Sequence, residues 1–350
     1  MAKKRKPRKY DFILDKKRLE EVCLIAYRTA EERRLIFSRG IERFLPQWNL
    51  PQGLDYTPKR AEIPEQNQLA VSQYLWTIAF FERLNQSDQI TLNAHKLWYN
   101  PKTKWFFNPN EVASRPPEKI IKAEQTLFGP LDSKERFHGP LTRAIRGNMQ
   151  FALQSTNENA PEVRFHNNAL RLIKDYDADP RNLIKYKTID EARAHLMRFE
   201  GIGTGIANLF IIYMIDRALA LPFNSQNALL KVDIHKGRIP INTRSVIPTN
   251  HEIYRDEPFV TTLESAYHEI CIKNSLNPSI LDASLWIIGS ELCAKQDFNY
   301  CKSCPLYENR CEANVPENKN TGRYVILTSD GKPIDSRKGS HPELEFTQLA

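Results

Sequence analysis

The stretch Leu285–Cys311, LWIIGSELCAKQDFNYCKSCPLYENRC, decides how the rest of the chain is read. Four of the six cysteines fall in it, Cys293, Cys301, Cys304 and Cys311, with seven, two and six residues between successive members and no histidine among them. A short irregular segment of this kind buries little apolar surface, so a metal centre supplies the cross-link that a core supplies elsewhere. Four thiolates suit either tetrahedral zinc or an iron-sulfur cluster. Zinc ribbons usually pair two CxxC knuckles, whereas only Cys301 and Cys304 form one here and the outer two stand singly, which favours the cluster.

Working upstream, Val232-Asp233-Ile234-His235-Lys236-Gly237-Arg238-Ile239 opens a helix, and Asp233 by itself reads as its N-cap. Before it, the helix Glu191 to Phe199 runs into Glu200-Gly201-Ile202-Gly203-Thr204-Gly205, and Ile206 to Leu219 continues at helical spacing. Helix, glycine turn, helix is a helix-hairpin-helix pattern. Glycines tolerate a left-handed turn and let a phosphate come close, while the amides of the second helix's N-terminus point at it. Taken alone, a glycine C-cap accounts for this turn equally well.

Leu285-Trp286, Gly289 four residues before the first cysteine, and Cys304-Pro305-Leu306 resemble the end of the endonuclease III and adenine-glycosylase group of base-excision DNA glycosylases, which close on a four-iron, four-sulfur cluster loop. The loop here is one residue longer on each side of the central pair than is usual in that group. The resemblance implies Cys293, Cys301, Cys304 and Cys311 as ligands of a 4Fe-4S cluster. It extends to the hairpin, where Phe199 to Gly203 match a Leu-Pro-Gly-x-Gly form with Glu200 in place of proline. Gly201, Gly203, Thr204 and Gly205 are then DNA-binding. It extends also to Val232, Asp233, His235 and Arg238, which match a Val-Asp-x-His-x-x-Arg pattern that makes Asp233 the catalytic carboxylate and puts His235 and Arg238 beside DNA. Gly205 falls where members with lyase activity carry an amine nucleophile, so the resemblance implies a monofunctional enzyme. Lys231 and Lys236 are the amines nearest Asp233 in sequence that could serve a bifunctional one. A non-catalytic DNA-binding or damage-sensing protein of the same fold, supported by Glu200 and an unmatched N-terminal third, is the alternative; a zinc-containing nucleic-acid adaptor rests on the cysteines alone.

Composition agrees with a globular protein. With 350 residues, 41% hydrophobic and 26% charged, the chain can bury one large or two modest cores. No apolar run approaches the roughly 18 residues of a membrane span, and the start is too polar for a secretory signal. An intracellular protein, cytoplasmic or nuclear, follows, and there clustered cysteines are more readily metal ligands than disulfides. Fifty basic against forty-two acidic residues leave a formal charge of +8, as an anionic polymer such as double-stranded DNA would require of its partner. Part of the excess is Lys3 to Lys9, a disordered basic arm or a solubilising tail. Cys23 and Cys271, in apolar helical patterns, read as buried thiols.

The expected fold is all-α: two helical lobes with the hairpin on one side and the cluster loop on the other, in a monomer. The expected divisions are an arm at 1–10, an N-terminal helical region at 11–135 with an aromatic insertion at 92–136, a hairpin lobe at 136–254, C-terminal helices and cluster loop at 255–315, and a tail at 316–350. Helices are expected over Arg18 to Leu45, Asn67 to Leu84, Phe137 to Leu153, Val163 to Tyr176, Ser265 to Cys271 and Leu281 to Ser290, a connection over Pro46 to Pro64, and a short strand at Tyr324 to Thr328. In the insertion, Lys102, Lys104, Trp105 and Phe106 either stack bases or close a core edge. Ser72-Gln73 matches a family dipeptide at the helix that enters the DNA stack, too short a match to assign a role.

Overall fold

The computed structural model describes residues 12–32, 50, 63–81, 94–128, 161–186, 188–216, 227–248, 257–293, 298–308, 311, 325–327 and 333–335. The described chain is mostly helical, and its strands form two antiparallel pairs. Expectations for the basic arm, for Leu35 to Leu45, for Phe137 to Leu153 and for most of the Pro46–Pro64 connection lie outside the described residues. The chain divides into two compact units, one of Arg39–Ala228 and one of Met1–Ser38 with Leu229–Ala350.

Within the Arg39–Ala228 unit, β1 (Phe12–Leu14) and α1 (Lys16–Glu31) being part of the other, the two most apolar helices are α2 (Glu65–Phe81) and α7 (Thr204–Asp216). Every residue from Ala207 to Ile215 is buried, as expected of a helix that is apolar all round. Trp76 of α2 locks the pair, meeting Phe210 edge-on at 5.4 Å and Phe199 of the turn before α7 at 4.9 Å. Between them come α3 (Pro109–Ala113), α4 (Pro117–Phe128), α5 (Pro161–Tyr176) and α6 (Ile189–Leu196). The aromatic insertion closes the core edge. Phe106 and Phe107 are buried, stacked on Phe165 at 5.1 Å and Tyr74 at 5.0 Å, while the Trp98 and Trp105 rings are covered by Lys104 and Arg115. Ser72 and Gln73 also face inward: Ser72 donates to Leu69 O, and Gln73 Nε2 donates at 3.1 Å to Ala178 O, fixing the left-handed pair Asp177-Ala178 that ends α5.

The other unit combines the N-terminal segment with the C-terminal part of the chain, whereas the divisions expected above run in sequence order. α1 (Lys16–Glu31), N-capped by Asp15, carries Leu19, Val22, Cys23, Ala26 and Ala30 on one buried face. That stripe packs on α9 (Glu257–Lys273) and α10 (Pro278–Ile287). The strand β1 (Phe12–Leu14) pairs with β2 (Val246–Pro248) in the register Ile13↔Ile247, and Asp15 N donates to Ser245 O. An amphipathic helix near the N-terminus can only be assigned a partner once the partner's apolar face is known, and sequence order alone does not supply it. The unit continues with α8 (Ile234–Asn242), a π-helical turn at Ile288–Leu292 and α11 (Phe298–Lys302). The strand expected at Tyr324 to Thr328 is β3 (Val325–Leu327); its partner β4 (Pro333–Asp335) lies in the segment read as a tail.

Candidate functional site

Asp233 caps α8. Its backbone is extended, and its carboxylate accepts at 3.0 Å from the amide of Lys236, the third helical residue. The cap reading of Asp233 is therefore part of the fold, and what else the carboxylate does depends on its surroundings. Burial pushes its pKa up, but Lys236, His235 and Lys231 together with the Lys236 amide overcome this and bring it to about 2. Asp233 is thus a partly enclosed carboxylate that stays ionised throughout the neutral range.

The network behind it was not named from sequence. Lys236 is 1% exposed. Its ammonium sits 2.9 Å from Asp282 Oδ1 of α10 and donates at 2.8 Å to Lys231 O, two residues before Asp233. Asp282 is equally enclosed, and burial raises its pKa against the pull of Lys236. Pro240 lies inside α8 and offers no amide to Lys236 O, four residues back. That carbonyl instead accepts from the hydroxyl of Tyr267, a fully buried residue of α9, at 3.1 Å. The sequence did hold a signal: Asp282 is a lone charge in the apolar run Ile280 to Ile288, and a charge there requires a buried partner.

His235 and Arg238, read as DNA contacts, are turned toward the unit's interior. Arg238 is 6% exposed and its Nη1 donates at 2.9 Å to Gly289 O. Burial brings His235 down to about 4, so it is neutral at pH 7, and its ring meets Trp286 edge-on at 5.9 Å. Gly289 is where α10 and the π-turn press on α8: a Cβ there would stand 2.4 Å from His235 O. The Asp233 pattern and the glycine before the cysteines are therefore one packed junction.

From that junction the chain reaches Cys293, with Arg238 and the Asn242 side chain beside its sulfur. Burial pushes the Cys293 thiol up, and the charges of Cys304 and Cys301 push it further. Burial likewise raises Cys304 to about 12, opposed by the amides of Leu306 and Tyr307, which point at its sulfur, and reinforced by Cys311 and Cys301. Cys301 thus acts electrostatically on both Cys293 and Cys304, and Cys311 on Cys304, and none of the six cysteines is in a disulfide. Among the described residues no group of three or more His, Cys, Asp or Glu is gathered to hold a metal ion. The donor chemistry, four thiols with amides aimed at Cys304 and a guanidinium near Cys293, fits a thiolate-bound cluster. Of the basic residues in this loop, Lys302 is exposed; Lys295 and Arg310 lie outside the described residues. Cys23 and Cys271 are fully buried thiols, both raised by burial.

In the Arg39–Ala228 unit, α6 starts at a capping box formed by Thr188 and Glu191, and its last turn leads to the glycines. Gly201 has φ 73, a conformation that favours glycine, and Ile202 tucks into the core. Glu200 is held from α5: its amide donates to Asn168 Oδ1 at 2.8 Å, its carbonyl accepts from Asn168 Nδ2 at 3.0 Å, and its carboxylate takes Asn167 Nδ2 at 3.2 Å. Arg171 also donates to Arg198 O. Gly203 and Thr204 are exposed, nothing lies within 4 Å of a Cβ added at Gly203, and the first intrahelical bond of α7 runs from Ala207 N to Gly203 O. The amides of Thr204, Gly205 and Ile206 precede that bond, at the positive end of the helix.

No family model, no curated protein and no solved structure matches the chain. Among the described residues no helix is long and apolar enough to cross a membrane.

Proposed function

We propose that the chain is a monofunctional DNA N-glycosylase, which turns a damaged, mismatched or modified base out of duplex DNA and hydrolyses its bond to the sugar. The observation that carries this reading is Asp233, a partly enclosed carboxylate held ionised down to about pH 2. Breaking an N-glycosidic bond builds positive charge on the sugar, and a fixed carboxylate stabilises that charge and orients the attacking water. Gly201 and Gly203 shape the turn, and the first amides of α7, those of Thr204 and Gly205, hold the backbone, in the manner of phosphate sites at helix N-termini. The net charge of +8 supplies the sequence-independent part of the affinity.

Gly205 offers no amine, and Lys236 is enclosed by Asp282 and Lys231 O, so hydrolysis rather than Schiff-base chemistry suits these residues. Cys293, Cys301, Cys304 and Cys311 would hold the 4Fe-4S cluster. Bound there, it supplies a cross-link that fixes the loop carrying Lys302.

The test is a panel of duplexes, each with a single lesion or mismatch. Expected is an abasic strand that breaks only after hot alkali, with no covalent adduct on borohydride reduction. Adduct formation would point to Lys231 as nucleophile; inactivity on every duplex, with salt-dependent binding intact, would leave a non-catalytic DNA-binding protein. The purified protein should be yellow-brown and contain iron, and stoichiometric zinc in a colourless protein would remove the cluster assignment.

A further inference from the structure

Two buried charges lie behind Asp233 for which the reaction has no direct use, and their contacts form a clamp. Lys236 grips the capping residue from both sides. Its amide binds the Asp233 carboxylate at 3.0 Å, and its ammonium binds the carbonyl of Lys231, upstream of Asp233, at 2.8 Å. Asp282, 2.9 Å from that ammonium and 2% exposed, gives the cation a carboxylate other than Asp233. Without Asp282, Lys236 would have Asp233 as its nearest acid, and a direct pair would draw that carboxylate inward.

We infer that Lys236 and Asp282 are positioning residues, a buried ion pair that fixes the Asp233 carboxylate on the Lys236 amide and keeps it from pairing with the Lys236 ammonium. This rests on the glycosylase reading of Asp233. The groups facing Asp233 are Lys231 from the preceding segment, His235 and Lys236 of α8, Tyr267 of α9 and Asp282 of α10. Lys236 contacts both sides of the Asp233 turn and Asp282 as well, so removing its charge disturbs the whole arrangement.

Single substitutions strand a buried charge, so the decisive protein is the double variant Lys236→Met/Asp282→Leu, in which the pair is replaced by apolar side chains that such sites accept. Residue 236 keeps its amide, and the cap survives. The double variant should melt like the unmodified protein and bind a lesion duplex within a few fold. Its single-turnover base release should be about 100-fold slower, the scale of an ångström of misplacement. Its rate should also acquire an acid limb in the ordinary carboxylate range, because Asp233 has lost its strongest positive neighbour. Unchanged rate and pH profile in the double variant would overturn the inference and leave the pair a structural device. Carbon NMR of the Asp233 carboxyl, assigned by its loss in Asp233→Asn, reads the same coupling without turnover: a midpoint moving up from about 2 supports the clamp, and one that stays overturns it. A protein that releases no base from any duplex sinks the glycosylase reading separately, since the titration is measured independently of turnover.

Discussion

The turns that lead into α7 and α8 treat their amides in opposite ways. At α8 the amide of Lys236 is taken by the protein's own Asp233, and the surrounding charges are enclosed. At α7 the residue before the helix is Gly203, which has no side chain to offer, and its surroundings are open. A helix end filled by its own carboxylate has little capacity for an outside anion, whereas an end begun by glycine keeps its amides for one. The contrast divides the labour of the proposed reaction: α7 is suited to a phosphate, and the cap of α8 to charge developing on a sugar.

The largest effect should follow from breaking the α8 side of that contrast. Asp233→Asn keeps a residue that caps as well as aspartate, so the helix start survives. Duplex affinity should stay within a few fold while base release falls on the order of 100-fold or more, the size of a removed electrostatic contact in the transition state. Full turnover in that variant would reduce Asp233 to its cap.

Gly289→Ala strikes the junction behind Asp233. The added Cβ would stand 2.4 Å from His235 O, a backbone atom that can move only with α8. Stability in a denaturant titration should drop by roughly 1–3 kcal/mol, as for overpacking elsewhere. A neutral result would show that α8 and the π-turn slide apart more easily than their packing implies.

Much of this was legible beforehand, for identifiable reasons. Helices such as α2 and α5 carry their periodicity in one continuous stretch, and Asp233 and the cysteines sit in short, closely spaced patterns. What escaped is whatever depends on a distant partner. The Lys236–Asp282 pair spans 46 positions, α1 finds its partners at the far end of the chain, and β4 needs β3 before it is a strand. Arg238 also depends on a distant partner, because a basic residue in a motif resembling a DNA-binding one invited an outward reading whereas the side chain is buried and its Nη1 donates to Gly289 O.

Acidification should weaken each unit through buried histidine, most strongly through one ring in each. Burial holds His235 at about 4 in one and His95 at about 4 in the other, below the ordinary 6.5. The unfolded chain therefore takes up these protons first, and stability present above pH 6.5 declines as the pH falls toward 4. His235→Gln and His95→Gln should each flatten that decline, followed by thermal melts across the window. A slope unchanged in both would show that other groups set the acid response.

The smallest effect is the most discriminating one for the α7 turn, because its two glycines differ in what they require. Gly201 holds φ 73, so Gly201→Ala should cost about 1–2 kcal/mol whatever the turn binds, the ordinary penalty for a side chain in the left-handed region. Gly203 meets nothing within 4 Å, and its backbone is not in that region, so Gly203→Ala should leave stability within about 0.5 kcal/mol. Yet a methyl group at Gly203 would occupy the open space before the α7 amides, which is the space a phosphate would enter. A loss of duplex affinity in a Gly203→Ala protein of unchanged melting temperature would therefore assign that space to the ligand. Unchanged affinity would leave the glycine pair as a C-cap and a loop, and would shift the DNA contacts to basic side chains elsewhere.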